Sequence, residues 1–224
     1  MSAFCIIPAR LYSARFPQKI LAIWHGKTLL QHVWERASLA KRFDQIWIAC
    51  DHLETFRIAT EFGARAVLSS RHHPTGSDRI AEVIQAQEVD FVVNLQADEP
   101  QMNPQLLDQI VDCLEFYPSA DCVTPISTQM QPQAVRCTTD HCGRALYFSR
   151  HLPYGYRHVG LYGYRKAALL RFVNLPPGQW EASESLEQLR LLEAGMSIQT
   201  FQTSYNGISV DTPEDFARLG QQRV

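Results

Sequence analysis

The sequence predicts an α/β chain with a mostly parallel central sheet, helices on both faces, and a smaller, mixed, β-rich extension. Three observations carry that prediction. Through residue 117, short apolar runs of strand character alternate with segments of helical period, and such alternation builds a parallel sheet covered on both sides. Beyond Tyr117 the pattern shifts to shorter strand-like runs rich in tyrosine. Hydrophobic residues make up 46% of the 224 and charged residues 20%, a balance that fills a core and excludes a disordered chain.

The elements follow in order. Phe4 to Ile7 is an apolar first strand, expected to end at Pro8, which has no N–H for a ladder. A polar loop follows. Lys27 to Ala40 reads as a helix, because Leu29, Leu30, Val33, Trp34, Ala37 and Ala40 fall on one face. Gln45 to Ala49 is a strand that ends at Cys50-Asp51-His52. Leu53 to Phe62 is helical, with Gly63 as its stop. Ala64 to Leu68 is a third strand. Ser69 to Arg79 reads as a long polar loop before a helix over Ile80 to Gln87. Asp90 to Leu95 is a fourth strand with the exit Gln96-Ala97-Asp98-Glu99-Pro100. Asn103 caps a helix to Tyr117, with Pro104 at its first position.

In the second half, Ala120 to Pro125, Ala134 to Thr138, Gly143 to Ser149 and His158 to Tyr164 are strand-like. Lys166 to Val173 and Ser183 to Ala194 read as helices, which places Glu187 and Gln188 inside a helix. Asn174 to Trp180, with Pro176-Pro177-Gly178, is a loop or lid. Ile198 to Gln202 is a last strand, and Asp211-Thr212-Pro213-Glu214-Asp215 opens a last helix. No repeat or low-complexity tract divides the chain, so residues 1–224 are expected to form one domain.

Composition excludes several function classes. A net charge of −2 argues against a general nucleic-acid binder, so any anion site must be local. No apolar run approaches the ~18 residues of a membrane span, and the N-terminal run is too short for a signal-peptide core. No membrane partner and a cytoplasmic location are therefore expected. The six cysteines lack CxxC spacing. Cys137 and Cys142 flank His141, an incomplete ligand pattern for zinc. Neither GxGxxG nor GxxxxGK[ST] occurs.

Two sets of charges remain. Arg10, Arg15 and Lys19 share one loop beyond a strand end, where they repel one another unless an anion lies among them. Open α/β sheets bind ligands at the carboxyl ends of their strands. A triphosphate suits this loop, with arginine forks pairing bidentately and lysine acting as a point charge; a solvated basic loop is the alternative. Asp98 follows the fourth strand and Asp211 follows Ile208-Ser209-Val210. Carboxylates so placed suit Mg²⁺, which takes one or two of them together with substrate phosphates. Asp98 could equally be a solvated acid, and Asp211 an acid that favours a helix N-terminus.

Those residues belong to a longer series. Ile6-Ile7-Pro8-Ala9-Arg10 with Ser13, Arg15, Pro17 and Lys19 resembles the opening of the sugar-activating cytidylyltransferases, and most of all the 3-deoxy-manno-octulosonate (Kdo) cytidylyltransferase, or CMP-Kdo synthetase, family. Cys50-Asp51-His52, Thr75-Gly76-Ser77-Asp78-Arg79 and Asn94-Leu95-Gln96-Ala97-Asp98-Glu99-Pro100 continue the resemblance. So do Ala145 to Arg150, His158 to Arg165, Glu184 to Arg190 and Val210 to Asp215, in order and nearly end to end.

The resemblance implies a Rossmann-like nucleotidyltransferase fold that transfers CMP from CTP to the anomeric hydroxyl of Kdo, with release of pyrophosphate, for lipopolysaccharide synthesis. It implies catalysis by Arg10, Lys19, Asp98 and Asp211, with Mg²⁺ held by Asp98 and Asp211. Arg10, Ser13, Arg15, Lys19, Thr75, Gly76, Ser77, Arg79 and Gln96 would bind the nucleotide. His158, Tyr162, Glu187 and Gln188, with Arg150 and Arg165, would contact the sugar acid. Residues 1–117 would be mainly the CTP half and 118–224 mainly the sugar and dimer half, in a homodimer. Two departures stand out. Ala97 occupies a glycine position, where a β-carbon crowds close backbone approach, and only Tyr154-Gly155-Tyr156-Arg157 separates Pro153 from His158, where the family carries a longer insertion. A sialic acid or 8-amino-Kdo cytidylyltransferase, or a non-catalytic nucleotide-binding homologue, are the alternatives.

Overall fold

The computed structural model describes residues 1–131 and 134–221. The first half runs β1 (Ala3–Ala9), a short 3-10 turn (Lys19–Leu21), β2 (Ile23–Trp24), β3 (Lys27–Thr28), α1 (Leu29–Ser38), β4 (Gln45–Cys50), α2 (Leu53–Glu61), β5 (Arg65–Leu68), α3 (Gly76–Ile84), β6 (Phe91–Leu95) and α4 (Pro104–Phe116). The second half runs β7 (Cys122–Ser127), β8 (Arg136–Thr139), β9 (Ala145–Ser149), β10 (Tyr156–His158), β11 (Leu161–Arg165), α5 (Lys166–Val173), α6 (Gln179–Glu184), α7 (Leu189–Glu193), β12 (Ile198–Thr203) and α8 (Pro213–Gln221).

Among the described residues ten strands form one sheet in the order β5-β4-β1-β6-β11-β7-β10-β8-β9, with β12 also paired to β7. The strands β5, β4, β1 and β6 are parallel, as the alternation demands. Beyond β6, antiparallel pairs dominate. The mixed extension is therefore a continuation of the same sheet. β1 is buried on both faces, which is why it reads as an unbroken apolar run. Cys5 and Ile7 enter an apolar cluster with Leu30 and Val33 of α1 and Leu107 and Ile110 of α4. Phe4 and Ile6 enter the opposite cluster with Ile80 and Ile84 of α3 and Leu169 and Phe172 of α5. At Gly163 a β-carbon would overlap Ile110 and Leu114, so the glycine lets α4 lie directly on β11.

Several boundaries differ from the sequence-based expectation, each for a local reason. β1 passes through Pro8 to Ala9. The Ala9 carbonyl accepts from Asp51 N on the β4 side, so Pro8 points toward β6, whose pairing has already ended at Ile6–Asn94. No ladder bond is lost. α1 begins at Leu29 because Lys27 and Thr28 pair with Trp24 and Ile23 in a tight hairpin. His25 and Gly26 turn it with φ of 46° and 78°, as a two-residue primed turn requires. α3 begins at Gly76, four residues early: Thr75 Oγ1 accepts from Asp78 N, and Asp78 Oδ2 accepts from Thr75 N, a reciprocal cap inside what reads as loop. The run 158–164 splits into β10 and β11 because its two parts take different neighbours, β7 and β8 for one and β6 and β7 for the other. The helix expected over 183–194 is also two. Ser185 turns left-handed at φ 54° and ends α6, which leaves Glu187 and Gln188 in the connection before α7.

Candidate active site

The carboxyl ends of β1 and β6 open onto a cleft of about 440 Å³. The 10–19 loop forms one wall, with Arg10, Ser13, Arg15 and Lys19. The Pro74-Thr75-Gly76 entry to α3 and Arg79 form another, and Gln96, Ala97, Asp98 and Asp211 form the floor and far side. Segments almost two hundred residues apart in sequence thus share one space.

Its centre is a compact charge cluster. Lys19 Nζ donates to Asp98 Oδ2 at 2.5 Å and to Asp211 Oδ1 at 2.8 Å. Arg15 Nη2 reaches the same Asp211 oxygen at 3.1 Å. Burial alone would lower the Lys19 pKa; Asp98 and Asp211 outweigh it and hold the ammonium above its ordinary value. Burial would likewise raise Asp211, but Lys19 and Arg15 pull it below the usual carboxylate range. Val210 N donates to the Asp98 carbonyl at 2.9 Å, so the backbone also joins the two acidic segments.

The first wall is anchored from beneath. Asp51, at the end of β4, accepts from Leu11 N at 2.9 Å and faces Arg79 Nη2 at 3.8 Å. Arg79 is 2% exposed and also donates to Ser69 Oγ at 2.6 Å. Burial lowers its pKa and Asp51 opposes that shift. Asp51 sits in a motif visible in the sequence, yet only its contacts reveal that it supports the loop. Arg10 donates to the Pro74 carbonyl at 3.0 Å and remains exposed. Ala97 is buried within the apolar cluster while it lines the cleft, so the core takes up its methyl.

Two recesses adjoin the cleft, and they divide the expected sugar-acid residues. One, of about 100 Å³, shares Gly76 and Gln96 with the cleft and adds Ser77, Tyr162, Glu187 and Gln188. Glu187 Oε1 accepts from Thr75 Oγ1 at 2.9 Å. Burial raises its pKa, against the hydrogen bond from Thr75. Tyr162, Glu187 and Gln188 therefore lie beside residues expected to hold the nucleoside. The other recess, of about 540 Å³, shares Arg15 and Asp211 with the cleft and adds Arg150, Arg157 and His158.

His158 Nε2 lies 2.9 Å from Thr124 Oγ1, and the Thr124 hydroxyl lies 2.8 Å from the Leu161 carbonyl. A hydroxyl has one proton to give. With that proton directed at Leu161, His158 donates from Nε2 and keeps Nδ1 as its acceptor. Burial, then the charge of Arg157, depresses the imidazole to a pKa of about 3, so it is neutral at physiological pH.

Arg165 does not join the site, a correction to the expectation. β11 runs antiparallel to β6, pairing Leu161 with Leu95 and Arg165 with Phe91. The strand therefore carries Arg165 away from the carboxyl edge. There it donates to the carbonyls of Ala120 (3.0 Å), Leu114 (2.7 Å) and Tyr117 (3.1 Å) and covers the Phe91 ring. The zinc pattern also dissolves: Cys137 is buried in β8 while Cys142 is exposed, and among the described residues no group of three or more His, Cys, Asp or Glu could hold a metal.

A third cluster lay beyond sequence reasoning. Glu99 is 6% exposed, next to Asp98, and accepts from Tyr205 Oη at 2.8 Å. Burial, then the Asp98 charge, pushes its pKa up to about 7. Arg157, 5% exposed, donates to the carbonyls of Gln129 and Tyr205. In the sequence Glu99 is simply one acid of a strand exit, and nothing there pairs it with a tyrosine over a hundred residues away.

Comparisons with known proteins identify the family. The Cytidylyltransferase family pattern matches residues 4–198. A 3-deoxy-manno-octulosonate cytidylyltransferase of Solibacter usitatus is 40% identical, over 96% of this chain and 92% of its own. One from Chlamydia trachomatis is 39% identical over the same shares. The solved structure of a CMP:2-keto-3-deoxy-manno-octonic acid synthetase complexed with CTP superposes with a TM-score of 0.94, at 34% identity, over 98% of this chain and 97% of that one. A cytidylyltransferase of Leptospira borgpetersenii, at 17% identity and a TM-score of 0.71, shares the fold. With the family pattern over most of its length and such relatives end to end, the chain belongs to the 3-deoxy-manno-octulosonate cytidylyltransferases.

Proposed function

We propose that this protein transfers the cytidylyl group of CTP to the anomeric hydroxyl of 3-deoxy-D-manno-octulosonate, releasing pyrophosphate. The observation that carries the reading is the convergence of Arg10, Arg15 and Lys19 with Asp98 and Asp211 on one cleft. Arg10 and Arg15 are both exposed, and would exchange the Pro74 carbonyl and Asp211 for a triphosphate. Thr75, Gly76, Arg79 and Gln96 surround the inner end of the cleft, where the nucleoside fits. The sugar acid would enter from the recess of Arg150 and His158, which meets the cleft at Arg15 and Asp211. The His158 Nδ1 acceptor would orient one of its hydroxyls.

Mg²⁺ belongs to the same reading. Asp98 Oδ2 and Asp211 Oδ1 already face a shared cation, the Lys19 ammonium, so the donor set fits a divalent ion completed by substrate phosphates. When bound, the metal would neutralise charge on the phosphates and help align the attacking hydroxyl. Asp98 and Asp211 would hold it, and Lys19 would turn from the carboxylates to the phosphates. The remainder of catalysis is positioning and charge neutralisation by the cleft walls.

A homodimer completes the proposal. β9 ends the sheet path, and the exposed Leu146 on it, with Tyr154 nearby in sequence, offers apolar surface for a second copy to cover. Among the described residues no helix is long and apolar enough to cross a membrane.

The test is pyrophosphate release from CTP with Kdo, 8-amino-Kdo and a sialic acid as competing acceptors. Turnover with Kdo at the highest kcat/KM is expected. CTP binding without turnover on any of the three would leave a nucleotide-binding homologue instead.

A further inference from the structure

Asp211 enters the cleft at the end of an irregular segment, 204–212, just before α8, where Asp215 Oδ2 accepts from Asp211 N at 3.2 Å. On its other side the segment is tied to the 98–101 turn by a few specific bonds. Val210 N donates to the Asp98 carbonyl, Ile208 N donates to Gln101 Oε1 at 3.1 Å, and Tyr205 Oη donates to Glu99 Oε2 at 2.8 Å. The Ser209 hydroxyl also supports the Glu99 carboxylate. Of these tethers only the Glu99 pair joins two side chains in the interior: Tyr205 is 9% exposed and Glu99 6%.

Gly207 makes the Tyr205 contact possible. A β-carbon at 207 would overlap the Tyr205 hydroxyl and ring, so the ring lies folded back across this glycine to reach Glu99. Arg157 holds the start of the segment from the other side, through the Tyr205 carbonyl. Since Arg157 precedes His158 on β10, the same bonds link the recess of His158 to the turn of Asp98.

We propose that Glu99 is a positioning residue for the cytidylyl transfer, which, through the Tyr205 hydroxyl folded over Gly207, holds Asp211 at the distance from Asp98 that a shared metal requires. The proposal rests on the reading above, in which Asp98 and Asp211 hold the metal. Glu99 also lines the recess of His158, so the role argued here is the one it exerts through Tyr205, read by metal binding in the absence of sugar acid. It helps fix the relative placement of two carboxylates borne by segments that otherwise meet through the Val210–Asp98 backbone bond and the Ile208–Gln101 bond. Groups of this kind, one contact removed from a metal's ligands, typically change metal affinity by about 10–100-fold when lost.

The experiment measures Mn²⁺ binding by electron paramagnetic resonance on the full chain with a non-reactive α,β-methylene analogue of CTP, alongside steady-state kinetics at saturating Mg²⁺. Tyr205→Phe loses only the hydroxyl. It is expected to raise the Mn²⁺ Kd about tenfold and to lower kcat, with KM for CTP held within about twofold because the triphosphate walls are untouched. Gly207→Ala keeps every hydrogen-bonding group yet displaces the ring, and should reproduce Tyr205→Phe. Glu99→Gln retains a carbonyl acceptor for Tyr205, and should stay far closer to wild type than Glu99→Ala. Wild-type Mn²⁺ affinity and kcat in Tyr205→Phe, with only the melting temperature lowered, would overturn the proposal. Asp98→Asn is the reference: if it too leaves Mn²⁺ binding unchanged, the metal reading itself fails and the positioning role falls with it.

Discussion

The Lys19 ammonium lies 2.5 Å from the Asp98 carboxylate, and the same nitrogen reaches Asp211 at 2.8 Å. One ammonium thus bridges two acids, with Arg15 as the second cation on Asp211 and the lysine side chain only 12% exposed. In the proposed reading a metal and an ammonium would not share the space between the same two oxygens, so Lys19 would have to turn to the triphosphate for Asp98 and Asp211 to hold a metal.

Lys19→Met follows from that relationship. It removes the ammonium that bridges the two carboxylates and leaves only Arg15 on Asp211, and the nucleotide-free protein should bind Mn²⁺ more tightly than wild type. CTP should weaken by about 10–100-fold, the cost of a charge-assisted contact of about 1.5–3 kcal/mol, while the sugar-acid KM changes less. Titration calorimetry with each ligand checks both. Equal weakening of CTP and sugar acid would contradict the phosphate assignment.

In the proposed reading, Asp98→Asn and Asp211→Asn should each cut kcat by at least about a hundredfold, since the metal they would hold supplies several kcal/mol of charge stabilisation. Both should remain folded, because Lys19 keeps one partner in each variant. Circular dichroism and pyrophosphate release separate loss of fold from loss of chemistry. A variant with full rate removes its residue from the metal role.

His158 makes stability depend on pH. Its native pKa is depressed to about 3 from the ordinary 6.5, so below pH 6.5 the unfolded chain takes up a proton that the native chain refuses. Its contribution is complete above pH 6.5 and is lost as the pH falls toward 3, with a limiting slope of about 1.4 kcal/mol per unit. Glu99 acts in the opposite sense. Raised from 4.5 to about 7, it binds a proton in the native state first, and costs stability as the pH rises through that window. Denaturant midpoints of wild type and His158→Gln from pH 4 to 7 isolate the first effect. The difference between them should change steadily with pH; a constant difference would show that His158 is not held neutral.

Arg165→Ala should leave the kinetics unchanged and cost stability. The guanidinium satisfies three carbonyls between α4 and β7, at Leu114, Tyr117 and Ala120. Its loss should cost about 2 kcal/mol, or roughly 4–8 °C in melting temperature for a chain of this size. A raised KM for the sugar acid at unchanged Tm would return Arg165 to the substrate.

Much of the site is legible in the sequence because its residues sit at the ends of strands that announce themselves. Arg10 follows β1 and Asp98 follows β6, and parallel strands deliver both to one edge. Reading failed where side-chain bonds decide local structure. Thr75 and Asp78 cap each other and turn apparent loop into the first turn of α3, and Ser185 adopts a left-handed conformation that frees Glu187 and Gln188 from any helix. Arg165 was misplaced because strand direction is invisible within a single segment. The antiparallel register of β11 on β6 puts Leu161 beside Leu95 and carries Arg165 back to Phe91, at the far end of β6 from Asp98.

By itself the sequence determined the alternation of strand and helix, the two-faced burial of β1, and the kinds of charge available at each strand end, since these depend on residue type and on periods of two and 3.6. Only the tertiary structure decided which charges meet. Lys19 between Asp98 and Asp211, Asp51 beneath the loop of Leu11, and Tyr205 on Glu99 are contacts between segments far apart in the chain. No local preference encodes them, because they exist only once the sheet has brought its edges together and burial has made an unpartnered charge too costly to keep.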